Sequence, residues 1–267
     1  MRRLIRWAAA CGGFCLLSVS GPALAHNIWL APDNHFPQVG DTVRIKVGFG
    51  HDYPASREDQ PVKEGMVGEA LAIIPGGGQV ALEKTAVDTY QLKIDRPGPY
   101  LLVAAMPAGL FSRPPEGMKR GGRKDFPEVK SCMEARMVAN AFLFAGAQGQ
   151  GAIQSDQALQ LKPLAAVNGL KKGDVLPIQV LFEGQPLAGA KIKATYAGYQ
   201  PQANAKSQEG HGAPMALETS ADAEGKAELK MEVAGHWLVI LGHSTPYQPA
   251  EVCDKRMYMS SYAIEVK

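Results

Sequence analysis

Apolar residues recur at every second position over short runs, the spacing of half-buried strands. Val43, Ile45, Val47 and Phe49 alternate with Arg44, Lys46, Gly48 and Gly50, and Tyr90, Leu92 and Ile94 alternate ahead of a Pro97-Gly98 turn. Later, Ile192 and Ala194 follow the turn residues Glu183 to Pro186, and Ala227, Leu229 and Met231 follow Asp222 to Gly225. Gly76-Gly77-Gly78 reads as a hairpin turn. Many short alternating runs closed by Gly and Pro predict an all-β chain built of sandwiches rather than a helical bundle.

The pattern repeats. Gly40-Asp41-Thr42-Val43-Arg44-Ile45 resembles Gly173-Asp174-Val175-Leu176-Pro177-Ile178, and Gly98-Pro99-Tyr100-Leu101 resembles Gly235-His236-Trp237-Leu238. Gly40 and Gly98 lie 58 residues apart, Gly173 and Gly235 62 apart. Similar order and spacing predict two tandem β-sandwich domains, residues 26–155 and 156–267, meeting in the Gly- and Gln-rich stretch 148–160. Three stretches break the pattern. Residues 107–128, with Pro107, Pro114, Pro115, Pro127 and the basic run Lys119–Lys124, read as a long surface loop. Residues 132–144 fit either a helix or a strand, and residues 200–214 read as a polar loop carrying His211.

Residues 1–25 have the form of a secretory signal peptide, with Arg2 and Arg3, an apolar stretch, and Ala23-Leu24-Ala25 as the cleavage site. Cleavage after Ala25 predicts a periplasmic protein. It removes Arg2, Arg3 and Arg6 from the 28 Lys and Arg, leaving a chain close to neutral against 26 Asp and Glu. No basic excess points to nucleic acid, and no later apolar run approaches the ~18–20 residues of a membrane span. Cys132 and Cys253 remain after cleavage, an even pair expected to form a disulfide in an oxidising compartment, the alternative being two separate buried thiols.

The candidate chemistry is in the histidines. Cleavage makes His26 the first residue, and its free α-amine and ring Nδ1 can then close a six-membered chelate on a metal ion. An internal histidine offers only its ring. His51 and His243 each follow a glycine at the end of an apolar strand, and these two are the expected partner ligands. By parity the His51 ring is expected on the core side. His243 shares a face with Trp237, Val239 and Leu241, whereas His236 shares the opposite face with Leu238 and Ile240 and is expected at the surface or core edge. His35, in Asp33-Asn34-His35-Phe36-Pro37, reads as a solvated turn residue, as does His211 in its loop. Imidazole and amine nitrogens suit Ni(II), Co(II), Cu(II) or Zn(II).

Taken together, His26-Asn27-Ile28-Trp29-Leu30 after an export signal, Val47-Gly48-Phe49-Gly50-His51, Gly184-Gln185-Pro186-Leu187-Ala188-Gly189 and Gly235-His236-Trp237-Leu238-Val239 resemble the DUF4198 family. The resemblance implies immunoglobulin-like or transthyretin-like sandwiches, the second similar to a carboxypeptidase-regulatory module. It also implies likeness to periplasmic components of nickel or cobalt uptake, with His26 as chelating ligand and His51 and His243 as partners. The expected function is therefore capture or delivery of Ni(II) or Co(II), with a membrane transporter as the partner and no enzymatic activity. The alternatives are a copper histidine-brace protein or oxidative enzyme binding Cu(II), and a metal-free structural or adhesive module. No Gly-x-Ser-x-Gly nucleophile motif and no phosphate-cradling loop is present in the sequence.

Overall fold

A computed structural model of the chain describes residues 26–51, 53–54, 61–146, 153, 155–201 and 215–267. Residues 1–25, expected to be a leader, and His211 lie outside the described residues. The first half supplies β1 (Asn27–Pro32), β2 (Thr42–Gly50), β3 (Glu69–Ile73), β4 (Gln79–Ala81), β5 (Glu83–Ala86), β6 (Thr89–Lys93), β7 (Gly98–Ala105), β8 (Gly109–Ser112), β9 (Lys119–Arg120) and β10 (Cys132–Ala145). The second supplies β11 (Leu159–Pro163), β12 (Val175–Phe182), β13 (Gln185–Pro186), β14 (Lys191–Tyr196), β15 (Leu217–Ser220), β16 (Lys226–Lys230), β17 (Gly235–Pro246) and β18 (Lys255–Val266). No α-helix occurs among the described residues, and none of them forms a helix long and apolar enough to cross a membrane.

The strands form three sheets. One four-stranded sheet has the order β1-β2-β6-β5, and another joins β11, β12, β13 and β16. Between them lies a ten-stranded sheet in the order β15-β14-β17-β18-β10-β7-β3-β4, with β8 and β9 appended to β10. The expected all-β sandwich architecture is thus present, and residue 155 falls between β10 and β11. The pattern of polar and apolar residues did not indicate that the two sandwiches share one central sheet. They join where β10 and β18 pair in parallel, Met133 to Ala141 against Lys255 to Ala263.

The repeat read from the sequence reappears bond for bond. The Gly40 amide donates to Ile94 and the Ile94 amide to Asp41, at 2.8 and 2.9 Å. The Gly173 amide donates to Met231 and the Met231 amide to Asp174, at 2.7 and 2.8 Å. Asp41 accepts from the Gln38 amide at 2.8 Å, and Asp174 from the Lys171 amide at 2.9 Å. Gly40 and Gly173 have φ of 100° and 95°, a conformation that favours glycine. Tyr100 donates its hydroxyl to the carbonyl of Arg96, and Trp237 its indole N–H to that of Val233, both at 2.8 Å and both four residues back.

A two-fold relation that keeps β10 and β18 parallel must have its axis along the strands, and such an axis exchanges the two faces of the sheet. The cores follow this rule. Tyr100 and Leu102 pack with β1, β2 and β6 on one face, whereas their counterparts Trp237 and Val239 pack with β11, β12 and β16 on the other. β10 is covered on both faces: Ala139, Ala141 and Leu143 enter the first core, Phe142 and Phe144 the second. This removes the alternation that would have marked 132–144 as a strand.

The stretch 107–128, expected to be a loop, instead forms β8, β9 and a short 3-10 turn. β8 pairs with β10 from Cys132 to Ala135, and Arg123 bonds to Asp254. Cys132 and Cys253 form the expected disulfide, with Cα atoms 4.9 Å apart, one and two residues before the parallel seam begins at Met133 and Lys255.

Candidate metal-binding histidine clusters

The amino-terminal cluster grows from β1 and β2. Their register pairs Asn27 with Gly50, so the next residues outward, His26 and His51, meet across the end of the ladder. Their ring centroids are 4.6 Å apart, and the Phe49 ring lies 5.2 Å from His26. His26 is half-buried. His51 is exposed rather than turned to the core, because the strand ends at Gly50, whose φ is 130°. Two hydrogen bonds tie down the base beneath. The Ser261 hydroxyl donates to the Ile28 carbonyl at 2.6 Å, and the Trp29 indole donates to the Pro54 carbonyl at 3.0 Å. Trp29 lies across Gly48, where an added Cβ would come within 2.0 Å of the indole nitrogen.

Two imidazoles bound to one ion at metal–nitrogen distances of about 2.0–2.1 Å place their centroids roughly 4.5 Å apart at a right angle and 5.2 Å apart in a tetrahedron. The His26–His51 separation fits the lower of these values. His243 is not brought to the pair. Its ring packs 4.5 Å from that of Phe182, on the face of β17 that carries Trp237, Val239 and Leu241. β1 covers the opposite face, against Leu238 and Ile240. Burial lowers the pKa of His243, with Glu183 opposing the shift.

A second cluster lies beyond the other end of β1. His35, expected to be solvated, is only 1% exposed. Past Ala141, β10 no longer pairs with β18, and the segment after β1 takes the vacated positions. The Phe144 amide donates to the His35 carbonyl at 2.8 Å, and the Gly146 amide to that of Pro37 at 3.1 Å. Phe36 stacks on Phe144, which draws this segment onto the sheet. His35 Nδ1 lies 2.7 Å from the Phe142 carbonyl. A carbonyl can only accept, so Nδ1 carries the proton and Nε2 holds the free lone pair. Nε2 is buried and has no hydrogen-bond partner. Burial holds the His35 pKa down to about 4, the bond to Phe142 opposes this, and His236 adds a small lowering.

His236 and Glu265 stand opposite each other on β17 and β18. The His35 and His236 rings are 5.6 Å apart. Among the described residues, His35, His236 and Glu265 form the group of three metal-ligand side chains in mutual reach, their donor atoms all within 4.8 Å of one another. No motif or spacing in the sequence marks this trio. His35 lies in a stretch with the composition of a turn, and Glu265 stands in no recognisable pattern.

A double β-sandwich sharing one sheet and bearing two histidine clusters is the class that fold and geometry define. The chain belongs to the DUF4198 family, a domain of unknown function whose profile matches residues 23–245. No curated protein matches it. Among solved structures, it resembles the D0-D1 domain of intimin at 13% identity and a TM-score of 0.21, over 86% of this chain and 96% of that one. It resembles murine CEACAM1b at 10% identity and a TM-score of 0.20, over 90% and 99%. A DUF4785 family protein from Legionella pneumophila matches at 11% identity and a TM-score of 0.27, over 81% and 52%. Likenesses at these TM-scores say nothing about function.

Proposed function

We propose that this is an exported metal-binding protein that captures Ni(II) or Co(II) in the periplasm and delivers it to a membrane transporter. The observation that carries the reading is the meeting of His26 and His51, with ring centroids 4.6 Å apart, at the residue where the leader would be cut. In the processed chain the α-amine and ring of His26 and the ring of His51 supply three nitrogens on an open rim. An open site suits an ion that must be taken up and passed on. The disulfide supports an oxidising compartment. His243 is left out of the ligand set because it faces the other core.

The test is calorimetric titration of Ni(II), Co(II), Cu(II) and Zn(II) into protein beginning at His26 and into protein beginning at Ala25. The second chain keeps every ring but loses the chelating amine. Expected is tight binding by the first chain only, with Ni(II) or Co(II) preferred over Zn(II). Because the amine has an unperturbed pKa of about 7.7–8.0 and binds without its proton, affinity should rise as pH passes through that range. Equal binding by both chains would exclude the amino-terminal chelate, and a strong preference for Cu(II) would favour copper chemistry.

A further inference from the structure

The trio His35, His236 and Glu265 plays no part in capture at the rim. It is separated from His26 by the length of β1, about 20 Å at the usual strand rise. We propose that these three side chains form a second, structural site for a divalent metal of the Zn(II) class, which fastens the segment after β1 to the ends of β17 and β18.

Four observations support this site. Three donor atoms lie within 4.8 Å of one another, and ligands of a tetrahedral Zn(II) stand roughly 3.3–3.5 Å apart, so small rotations of the half-buried His236 and Glu265 close the gap. His35 Nε2 is buried with no partner, a state that folded proteins avoid. The other nitrogen of that ring donates to a backbone carbonyl, which is how metal-bound imidazoles are held and how their tautomer is set. Two imidazoles and one carboxylate are also a donor set that Zn(II) accepts, with a fourth position for water. The ligands come from residue 35 in the first half and from residues 236 and 265 in the second, so one ion would link the two repeats.

The test uses the chain beginning at Ala25 with His26→Ala and His51→Ala, which removes both rings of the first cluster and leaves the trio intact. Stripped with chelator and titrated with Co(II), it should bind one equivalent, with a visible d–d band that Zn(II) abolishes. Glu265→Gln and His236→Ala, both at half-buried positions, should each weaken that binding by about 100-fold or more. Their melting in chelator should match that of the parent, which shows that the fold is intact. No band in the parent, or equal binding by the Glu265→Gln chain, would overturn the site and leave a hydrogen-bonded trio in which His236 donates to His35 Nε2. Neither result depends on whether the amino-terminal pair binds metal.

Discussion

At the scale of residues, His35 and Gly48 carry the sharpest consequences. His35 has a folded pKa near 4 against an ordinary value of 6.5. The unfolded chain therefore binds the extra proton between these values. Stability is complete above pH 6.5, falls as pH drops towards 4, and is flat below that as far as this residue is concerned. In metal-free protein the loss amounts to roughly 3 kcal/mol, and urea unfolding across that range should show it. His35→Gln should flatten the slope. Gly48→Ala pushes a methyl into the Trp29 indole, with a contact of 2.0 Å before relaxation. A cost of about 3 kcal/mol is expected, at the upper end for overpacking, read as a lower denaturation midpoint. The need for glycine at 48 could not be seen in a strand that already alternated correctly. The burial of His35 was hidden for a similar reason, since its neighbours Asn34 and Pro37 have the composition of an exposed turn. Phe36 between them was the overlooked signal: an aromatic residue there needs a core to enter, and it enters against Phe144.

At the scale of elements, the parallel pairing of β10 and β18 holds the halves together. Asn140 is buried in this seam. Its amide donates to the Ser260 hydroxyl and the Ser261 carbonyl at 3.2 and 3.0 Å, and its carbonyl accepts from Gln157 at 2.7 Å. Asn140→Leu takes this partner from the Ser261 carbonyl and the Gln157 amide, and a loss of about 1–3 kcal/mol is expected in denaturant unfolding. The disulfide closes 121 residues at the start of the same seam. Replacing both cysteines with serine should cost about 2–5 kcal/mol, measured as the drop in unfolding free energy. Individual strands were legible wherever one face was wet, as in β2, β6 and β16. β10 was not, because cover on both faces leaves no period to read. The order of the strands within the central sheet was not legible either, since pairing partners more than a hundred residues apart leave no local mark.

At the scale of the whole molecule, each half relies on the other for the neighbour of its last strand. A chain cut to residues 153–267 would expose the edge of β18 along the positions that β10 covers. It is expected to self-associate through that edge, so size-exclusion chromatography should find dimers or larger species. A stable monomer would contradict this view of the seam. The repeat itself was legible because its turns need glycine and aspartate at fixed points. The trio at 35, 236 and 265 was not, because no spacing connects His35 in one half to a pair that β17 and β18 bring together in the other.

The face-exchanging two-fold also has an evolutionary consequence. A duplicated gene whose product once paired with itself through this strand would, on fusion, yield one chain with the two copies facing opposite ways. Copies fused in this way would be free to diverge, and the loop before each second strand shows where the two repeats differ. With Gly40 matched to Gly173, Asn168 stands where His35 does, and Leu170 stands where Pro37 does. Both loops still dock on the end of a seam strand, Gly146 donating to Pro37 and Lys267 to Leu170. The same contact is present in both repeats, while the imidazole is found in only one of them.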